Sequence, residues 1–280
     1  MREWKLATSV AEKAGHCLRA LFEKEVRFKL KARRNFVTEA DEKAQNLIVR
    51  AIQREFPGDS ILAEEGPFSR TAEAPRRWII DPLDGTTNFK MGYPHFCVSI
   101  AFEENNQLQV GVIYDPLRKE LFSAKRGDRA FCNRKPLRLR SDSLSKALLG
   151  TGFPYDLKNK GVDHLGQFLD FFDRSLGIRR SGSAALDLAF VAAGRLSGFW
   201  QFGLEKWDVA AAALLIRQAG GQVLSLDSPS SKERAEIPIN LVAGSPKLAR
   251  SLRNRIRKFS EQGGKGTLQP PASIVDRRST

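Results

Sequence analysis

The chain begins with two segments in which apolar and polar residues alternate with the period of a helix. Residues 3–25 predict one amphipathic helix, and residues 38–56 predict a second, which a Pro-Gly pair ends. Thr38 and Asp41 have the spacing of a capping box at the start of the second helix. Between the two segments, the basic stretch RFKLKARR at 27–34 interrupts the helical period.

Short apolar runs separated by turn residues then predict a largely antiparallel sheet. The predicted strands are SILAEEG at 60–66, RWIID at 77–81, FCVSIAFE at 96–103, LQVGVIYDP at 108–116 and ELFSAKR at 120–126, followed by a hairpin-like segment at 127–140. The sequence therefore predicts an N-terminal half in which two helices pack on one sheet.

After residue 140 apolar strands alternate with helical segments, which is typical of a layered α/β unit. The predicted strands are ALLGT at 147–151, SGFWQF at 197–202, GQVLSL at 221–226 and INLVAG at 239–244, and the predicted helices lie at 162–176, 183–194, 206–220 and 245–259. We expect an N-terminal α+β half at 1–140, a C-terminal α/β half at 141–260 that completes the site, and a disordered tail at 261–280.

Length and composition fit a folded protein with a sizeable core, since 41% of the 280 residues are apolar. The N-terminus lacks the apolar stretch of a signal peptide, and no run approaches the ~20 apolar residues of a membrane span. We therefore expect a cytoplasmic protein. Cys17, Cys97 and Cys132 are too scattered for a disulfide framework or a zinc site and are expected to be reduced.

The segment WIIDPLDGTTNF, at 78–89, runs an apolar strand directly into two aspartates, Asp81 and Asp84. The proline after the first keeps it extended, and Gly85 lets the backbone turn tightly after the second. Two carboxylates this close repel each other, so either one binds a proton or a cation lies between them. The turn at Gly85–Thr87 offers backbone N–H groups of the kind that bind phosphate.

Three further acidic residues are expected near this strand end. Glu64 and Glu65 follow another predicted strand, and Asp208 lies at the start of a predicted helix. Since the three histidines are scattered, the site would be all oxygen, which favours Mg²⁺, with Mn²⁺ or Ca²⁺ as competitors. Each fragment alone is also typical of turn chemistry, a solvated acidic pair or a helix cap. Their joint occurrence favours metal-assisted phosphoryl transfer or hydrolysis.

These motifs resemble a known family. WIIDPLDGTTNF resembles the first signature of the inositol monophosphatase family, a branch of the lithium-sensitive, Mg²⁺-dependent phosphatases, and KWDVAAAALLIRQAGG resembles the second. The segments VTEAD, AEEG, RAFCN and RSGSAALDLAFVAAG also resemble the family, so the match covers roughly residues 5–258. The resemblance implies a layered αβαβα sandwich of the α/β (α+β) class, a homodimer, and a phosphomonoesterase that hydrolyses inositol monophosphate.

The resemblance also implies a ligand set for two to three Mg²⁺ ions, for which Mn²⁺ is expected to be able to substitute. The first ion would be held by Glu64, Asp81 and the backbone carbonyl of Leu83. The second would be held by Asp81, Asp84 and Asp208. A third ion would contact Glu64 through water.

Catalytic roles carried over from the family fall on Thr86 and Asp41, which would orient the attacking water, with Glu65 beside them. Backbone N–H groups of Gly85 and Thr86 would hold the phosphate, next to Thr87. This resemblance gives Asp41 a catalytic role in addition to its place in the predicted helix cap.

Substrate contacts implied by the resemblance are Gly182, Ser183, Ala184 and a second role for Asp84. Many family members carry a glutamate in the strand before the second signature, where this chain has Gln201. An amide can donate as well as accept a hydrogen bond but adds no negative charge. Fructose 1,6-bisphosphate, alone or together with inositol phosphate, therefore stands as an alternative substrate.

The formal net charge of +14 leaves a further alternative, binding of nucleic acid or of another partner in addition to or instead of catalysis. Basic residues cluster at Arg27–Arg34, Arg134–Arg140 and Arg250–Lys258. The simpler interpretation is that these clusters form solvated faces, since in the last one the basic residues lie mainly between apolar positions of one helix face.

Overall fold

The structure, a computed structural model, describes residues 1–22, 28–32, 35–65, 74–154, 163–227 and 236–261. The helices are α1 (Arg2–Phe22), α2 (Glu39–Glu55), α3 (Thr86–Lys90), α4 (His164–Arg174), α5 (Ala184–Ala192), α6 (Lys206–Gln218) and α7 (Pro246–Glu261). The strands are β1 (Phe28–Ala32), β2 (Asn35–Thr38), β3 (Ser60–Ala63), β4 (Arg76–Asp84), β5 (Cys97–Glu104), β6 (Gln107–Asp115), β7 (Glu120–Lys125), β8 (Phe131–Cys132), β9 (Lys135–Pro136), β10 (Leu148–Thr151), β11 (Gly177–Arg179), β12 (Gly198–Gln201), β13 (Gln222–Ser225) and β14 (Leu241–Gly244). The predicted disordered tail lies, beyond Glu261, outside the described residues.

The two N-terminal helices form because their apolar residues recur on one face. In α1 this face includes Val10, Ala14 and Leu18, and in α2 it includes Ile48 and Ile52, all of them buried. The two helices contact each other, and both pack on the first sheet. Both predicted helices are confirmed, although α1 ends at Phe22.

The first sheet has seven strands in the order β3-β4-β5-β6-β7-β8-β9. The β3–β4 pair is parallel and every other pair is antiparallel, as expected for the N-terminal half. Helices α1 and α2 cover one face, and α5 and α6 cover the other. Residues of β4 alternate between the two faces of this sheet. Trp78 and Ile80 lie in the core on the side of α1 and α2, and Ile79 lies in the core on the side of α5 and α6.

The second sheet has five strands in the order β11-β10-β12-β14-β13. Strand β10 is parallel to β11 and β12, whereas β14 is antiparallel to β12 and β13. Helices α5 and α6 contact strands of both sheets, while α4 and α7 contribute to the core on the outer face of the second. The layers are therefore α/β/α/β/α, which confirms the predicted sandwich.

Several element boundaries differ from the sequence prediction. Strand β4 does not end at Asp81 but continues through a register shift to Asp84, which pairs with Cys97. The basic stretch before α2 includes β1, which pairs antiparallel with β2, and no strand is predicted for either. The helix predicted at 162–176 begins at His164 and ends at Arg174, followed by the unpredicted strand β11.

The domain boundary near residue 140 lies between the two sheets in the chain. It stays a prediction, because α5 and α6, from the second half, share a core with the first sheet. Cys17, Cys97 and Cys132 are not joined by disulfides. Among the described helices, none combines the length and apolar character that crossing a membrane requires.

Candidate active site

A pocket of about 410 Å³ opens where the ends of β3, β4, β10 and β12 meet the starts of α3, α5 and α6. Most of the residues predicted for the site line this pocket. They are Glu64, Asp81, Leu83, Asp84, Gly85, Thr86, Thr87, Gly182, Ser183, Ala184, Gln201 and Asp208. Side chains separated by more than a hundred positions in the sequence thus meet in one place.

Three carboxylates form the floor of the pocket. Asp81, Asp84 and Asp208 each offer an oxygen atom, and these atoms lie within 4.8 Å of one another. Glu64 is not part of this trio, but it lines the same pocket and its charge raises the pKa of Asp81. Leu83, the predicted carbonyl ligand, has its side chain buried in the core under α1 and α2.

Each of the three carboxylates has one oxygen engaged by the protein. The Leu83 N–H donates to Asp81 Oδ1 at 3.0 Å, and the Glu205 N–H donates to Asp208 Oδ2 at 2.9 Å. Asp84 Oδ2 accepts from the Ser183 hydroxyl at 2.6 Å and from the N–H at the start of α5 at 2.7 Å. Among the described residues the second oxygen of each carboxylate has no such donor, so the carboxylates are oriented while one oxygen of each remains available to a cation.

The electrostatics of the floor also fit a cation. Burial raises the pKa of Asp81 well above its usual value, and repulsion from Glu64, Asp84 and Asp208 raises it further. Burial is likewise the main cause of the raised pKa of Asp84 and of the strongly raised pKa of Asp208. A divalent cation would remove this repulsion, and the all-oxygen trio is the donor set of a hard cation such as Mg²⁺.

The turn after the floor depends on a glycine. Gly85 has φ +99°, in the left-handed region, and a Cβ there would lie 3.0 Å from the His95 carbonyl oxygen and 3.2 Å from Phe96 Cβ. The backbone therefore leaves β4 and enters α3, which begins at Thr86, within a single residue. This places Thr86 and Thr87 directly beside Asp84 at the pocket wall.

The hydroxyl of Thr86 connects the floor to α2. Its Oγ1 lies 3.1 Å from Asp41 Oδ1 and 3.1 Å from the Leu83 carbonyl oxygen. Asp41 is fully buried in the first turn of α2 and does not line the pocket itself. A buried carboxylate that accepts from a hydroxyl in the pocket can take up that proton when the hydroxyl oxygen receives one from water.

Glu65 occupies a different position from the other predicted acids. It is buried, and its backbone N–H and carbonyl both bond to the amide of Gln45, at 3.0 and 2.7 Å. It is not among the residues that line the pocket. The catalytic role expected for Glu65 therefore stays a prediction.

Comparison with known proteins identifies the family. The model of the inositol monophosphatase family matches residues 2–262. The chain belongs to the inositol monophosphatase family. Membership supports a phosphatase, and its acidic pocket agrees with the Mg²⁺ dependence general in this family.

Individual sequence relatives and solved structures support the same family. A protein named Nus factor SuhB from Pseudomonas aeruginosa is 46% identical over 232 residues, which are 80% of this chain and 83% of that protein. The crystal structure of extragenic suppressor protein suhB from Bartonella henselae has a TM-score of 0.85 at 36% identity, over 92% of this chain and 99% of that chain. The inositol monophosphatase from Anabaena has a TM-score of 0.78 at 38% identity, over 92% and 95% of the two chains.

In this inositol monophosphatase family member, a second wall of the pocket comes from the second sheet and the start of α5. Gln201, at the end of β12, lies against Gly152, where a Cβ would be 2.1 Å from Gln201 Oε1. Gly182 has φ +90°, and a Cβ there would lie 3.0 Å from Asn88 Oδ1. Glycines at both positions thus allow the side chains of Gln201 and Asn88 to lie directly against the backbone.

Several residues that line the pocket or lie next to it are not predicted from the sequence. Asn88 donates to the carbonyls of His95, at 2.6 Å, and Ser181, at 2.9 Å, and so connects α3 to the loop before α5. Asp187, which lines the pocket, is buried and lies 3.1 Å from His95 Nε2. Asn88 and Asp187 stand inside the quoted motifs, which is the signal that could have identified them. Arg180 also lines the pocket, and it is the first residue of the quoted segment RSGSAALDLAFVAAG, so the same signal applies to it.

Proposed function

We propose that this family member is a Mg²⁺-dependent phosphomonoesterase that hydrolyses inositol monophosphate to inositol and phosphate. The observation that carries the proposal is the trio of Asp81, Asp84 and Asp208, which bring one oxygen each within 4.8 Å in a pocket beside the Thr86–Asp41 contact. A lithium-sensitive homodimer, as the resemblance implies, and a cytoplasmic location, as the sequence predicts, are part of this proposal.

The cations would be held by the floor carboxylates, with Glu64 and the Leu83 carbonyl as further ligands. When bound, Mg²⁺ lowers the pKa of a coordinated water and neutralises charge on the phosphoryl oxygens. Thr86 orients the attacking water through its oxygen while its proton is directed to Asp41. The backbone N–H groups of Gly85 and Thr86 donate to the phosphate, whose in-line cleavage then requires no covalent enzyme intermediate.

The polyol would contact the second wall. The backbone of Gly182 and Ala184 and the hydroxyl of Ser183 lie in the pocket near Asp84, and the Gln201 amide can donate or accept a hydrogen bond to a hydroxyl. Fructose 1,6-bisphosphate, the alternative substrate, would use the same floor but would need a place for its second phosphate.

Phosphate release from inositol 1-phosphate tests the proposal. Asp84→Asn and Asp208→Asn each remove one negative charge from the floor without changing its size, so both should lower kcat/KM by about a hundredfold or more. Asp128→Asn is the matched control, because Asp128 is an exposed residue that pairs with Lys125 away from the pocket. The assigned roles are wrong if Asp84→Asn and Asp208→Asn turn over as fast as the control.

A second candidate function is the binding of an anionic macromolecule such as RNA. The observation in its favour is on α7, where Arg250, Arg253 and Arg257 have no acidic partner among the described residues. The relatives named Nus factor SuhB carry a name that does not refer to hydrolysis. The cluster predicted at Arg27–Arg34 lies largely outside the described residues. For Arg134–Arg140, a binding role likewise stays a prediction.

A further inference from the structure

The carboxylate of Asp84 is held by donors from the start of α5. The Ser183 hydroxyl and the Ala185 N–H donate to Asp84 Oδ2 at 2.6 and 2.7 Å. Both donors belong to the first turn of α5, which begins at Ala184. The orientation of Asp84, and with it the oxygen that is left for a cation, therefore depends on where α5 begins.

A buried contact between His95 and Asp187 joins α5 to the loop before β5. His95 Nε2 lies 3.1 Å from Asp187 Oδ1, and the exposed fractions of the two residues are 6% and 2%. The Asp187 N–H donates to the Ser183 carbonyl at 3.1 Å, within the first turn of α5. The rings of His95 and Phe190 pack edge to face, with 5.8 Å between their centroids. Because both partners of the hydrogen bond are buried, it holds the first turn of α5 against this loop.

The backbone of the same loop packs against the turn that follows Asp84. A Cβ on Gly85 would lie 3.0 Å from the His95 carbonyl oxygen, so the two backbones are in close contact. The Asn88 amide donates to the same carbonyl at 2.6 Å and to the Ser181 carbonyl at 2.9 Å. His95 therefore contacts the turn through its backbone and α5 through its side chain.

Charge and hydrogen bonding at this contact can be separated by experiment. Burial raises the pKa of Asp84, and among the nearby charges that of Asp187 raises it further while that of His95 lowers it. A substitution of Asp187 would change both the hydrogen bond and the charge next to the floor. A substitution of His95 breaks the hydrogen bond and removes no negative charge.

We propose that His95 is a positioning residue for the metal site, because its hydrogen bond to Asp187 holds the start of α5 where its donors orient Asp84 toward Mg²⁺. This inference rests on the metal site of the proposed function. His95 is not among the described residues that line the pocket, so it acts through α5 and not on the substrate.

His95→Phe removes the hydrogen bond but keeps an aromatic ring against Phe190. It should raise the Mg²⁺ dissociation constant, measured by calorimetric titration without substrate, by about tenfold or more. The Mg²⁺ concentration for half-maximal phosphate release from inositol 1-phosphate should rise by the same factor. His95→Gln, which keeps an N–H donor for Asp187, should stay within about threefold of the wild type in both measurements. An effect of charge alone predicts the reverse for His95→Phe, since an uncompensated Asp187 would attract Mg²⁺ more strongly.

Glu103→Gln is the matched control. Glu103 is as buried as His95 and bonds to Arg77 at 2.6 Å, at the opposite end of the β4–β5 pair from Asp84. This variant should be less stable than the wild type but should bind Mg²⁺ equally well.

Asn88→Ala serves as the second variant should His95→Phe fail to fold. It removes the donor to the His95 and Ser181 carbonyls and leaves the His95–Asp187 contact intact. We expect weaker Mg²⁺ binding here too, because the loop and α5 lose another connection.

The positioning role is refuted if His95→Phe and Asn88→Ala bind Mg²⁺ as tightly as the wild type, or if Glu103→Gln weakens Mg²⁺ binding as much as they do. It is also refuted if His95→Gln loses as much affinity as His95→Phe. If the wild type binds Mg²⁺ but releases no phosphate from inositol 1-phosphate, the proposed function fails, and the calorimetric comparison alone decides the role of His95. If the wild type does not bind Mg²⁺, both proposals fail.

Discussion

Asp81 is buried beside three other acidic side chains, and this placement opposes stability in the absence of metal. Its pKa is raised in the folded state, so the native protein keeps the Asp81 proton at pH values where the unfolded chain has released it. The stability that Asp81 contributes is therefore full below about pH 4 and is lost as pH rises through the folded pKa. A bound divalent cation reverses the effect, because it stabilises the ionised form.

The substitution Asp81→Asn should therefore stabilise the metal-free protein. In EDTA at pH 7, its free energy of unfolding should exceed that of the wild type by about 1 kcal/mol, and the difference should shrink toward pH 4. Mg²⁺ should stabilise the wild type but not the variant. Denaturant unfolding at several pH values, with EDTA or Mg²⁺, measures all three quantities.

Asp142→Asn is the control of opposite sign. Hydrogen bonds from Ser197 and Arg140 lower the pKa of Asp142, so its ionised form is stabilised in the folded state. This variant should be less stable than the wild type at pH 7, with or without Mg²⁺. If Asp81→Asn is also less stable in EDTA at pH 7, burial and repulsion in the floor do not raise the pKa of Asp81.

At the scale of elements, the position of α6 on the first sheet decides where Asp208 lies. Strand β6 approaches α6 at Gly111, where a Cβ would lie 2.5 Å from the carbonyl oxygen of Ala211. The atoms that Gly111 faces are backbone atoms of Ala211, so they cannot move without a shift of α6 itself. The close approach of β6 to α6 therefore helps to fix the distance between Asp208 and the aspartates of β4.

Gly111→Ala should push α6 away from the sheet. We expect a loss of about 1–3 kcal/mol in the free energy of unfolding. We also expect weaker Mg²⁺ binding, measured as a higher Mg²⁺ concentration for half-maximal phosphate release, because Asp208 moves away from Asp84. Gly58→Ala is the control, since no atom lies within 4 Å of a Cβ there. A Gly111→Ala variant as stable and as active as Gly58→Ala would show that this contact does not position Asp208.

Hydrophobic periodicity predicts most of these elements because each has one or two buried faces. Helix α6, predicted at 206–220, runs from Lys206 to Gln218. The β1–β2 pair is not predicted, although apolar residues alternate in FKLKA, because the charge of the stretch favours a connector. The bulge that extends β4 to Asp84 depends on pairing with β5, which no local pattern records.

The same distinction between local and tertiary information applies to the site. Asp81 and Asp84 stand out because carboxylates at the end of an apolar run are unusual locally. The hydrogen bond between Asp187 and His95 joins residues far apart in the chain, so this contact follows only from the tertiary fold. Glu65 shows the converse, since the sequence groups it with Glu64, but in the fold its backbone bonds to the Gln45 amide and it does not line the pocket.

For the whole molecule, the net charge is +14, although the floor of the pocket is acidic. Helix α7, on the outer face of the second sheet, presents Arg250, Arg253 and Arg257 one turn apart or nearly so. Burial lowers the pKa of Arg253, and repulsion from Arg257 and Arg250 lowers it further. An anion that bridges these arginines would remove that repulsion, so this face is where we expect a polyanion to bind.

The combined substitution of Arg250, Arg253 and Arg257 by Gln should weaken retention on single-stranded RNA at about 50 mM salt. For the wild type, binding should fall steeply with salt, and the slope of log K against log salt should decrease by about 0.7 for each phosphate contact removed. Phosphate release should continue in this variant, because α7 does not line the pocket.

The control for this experiment changes the same net charge elsewhere, by substituting Lys5, Lys13 and Arg50 with Gln on the exposed faces of α1 and α2. If binding follows net charge alone, both triple variants should weaken equally. If α7 is the binding face, the control should keep the wild-type slope. Absence of wild-type retention at about 50 mM salt, or retention that ignores salt, would exclude an electrostatic RNA site, since released counterions must make such binding salt-dependent.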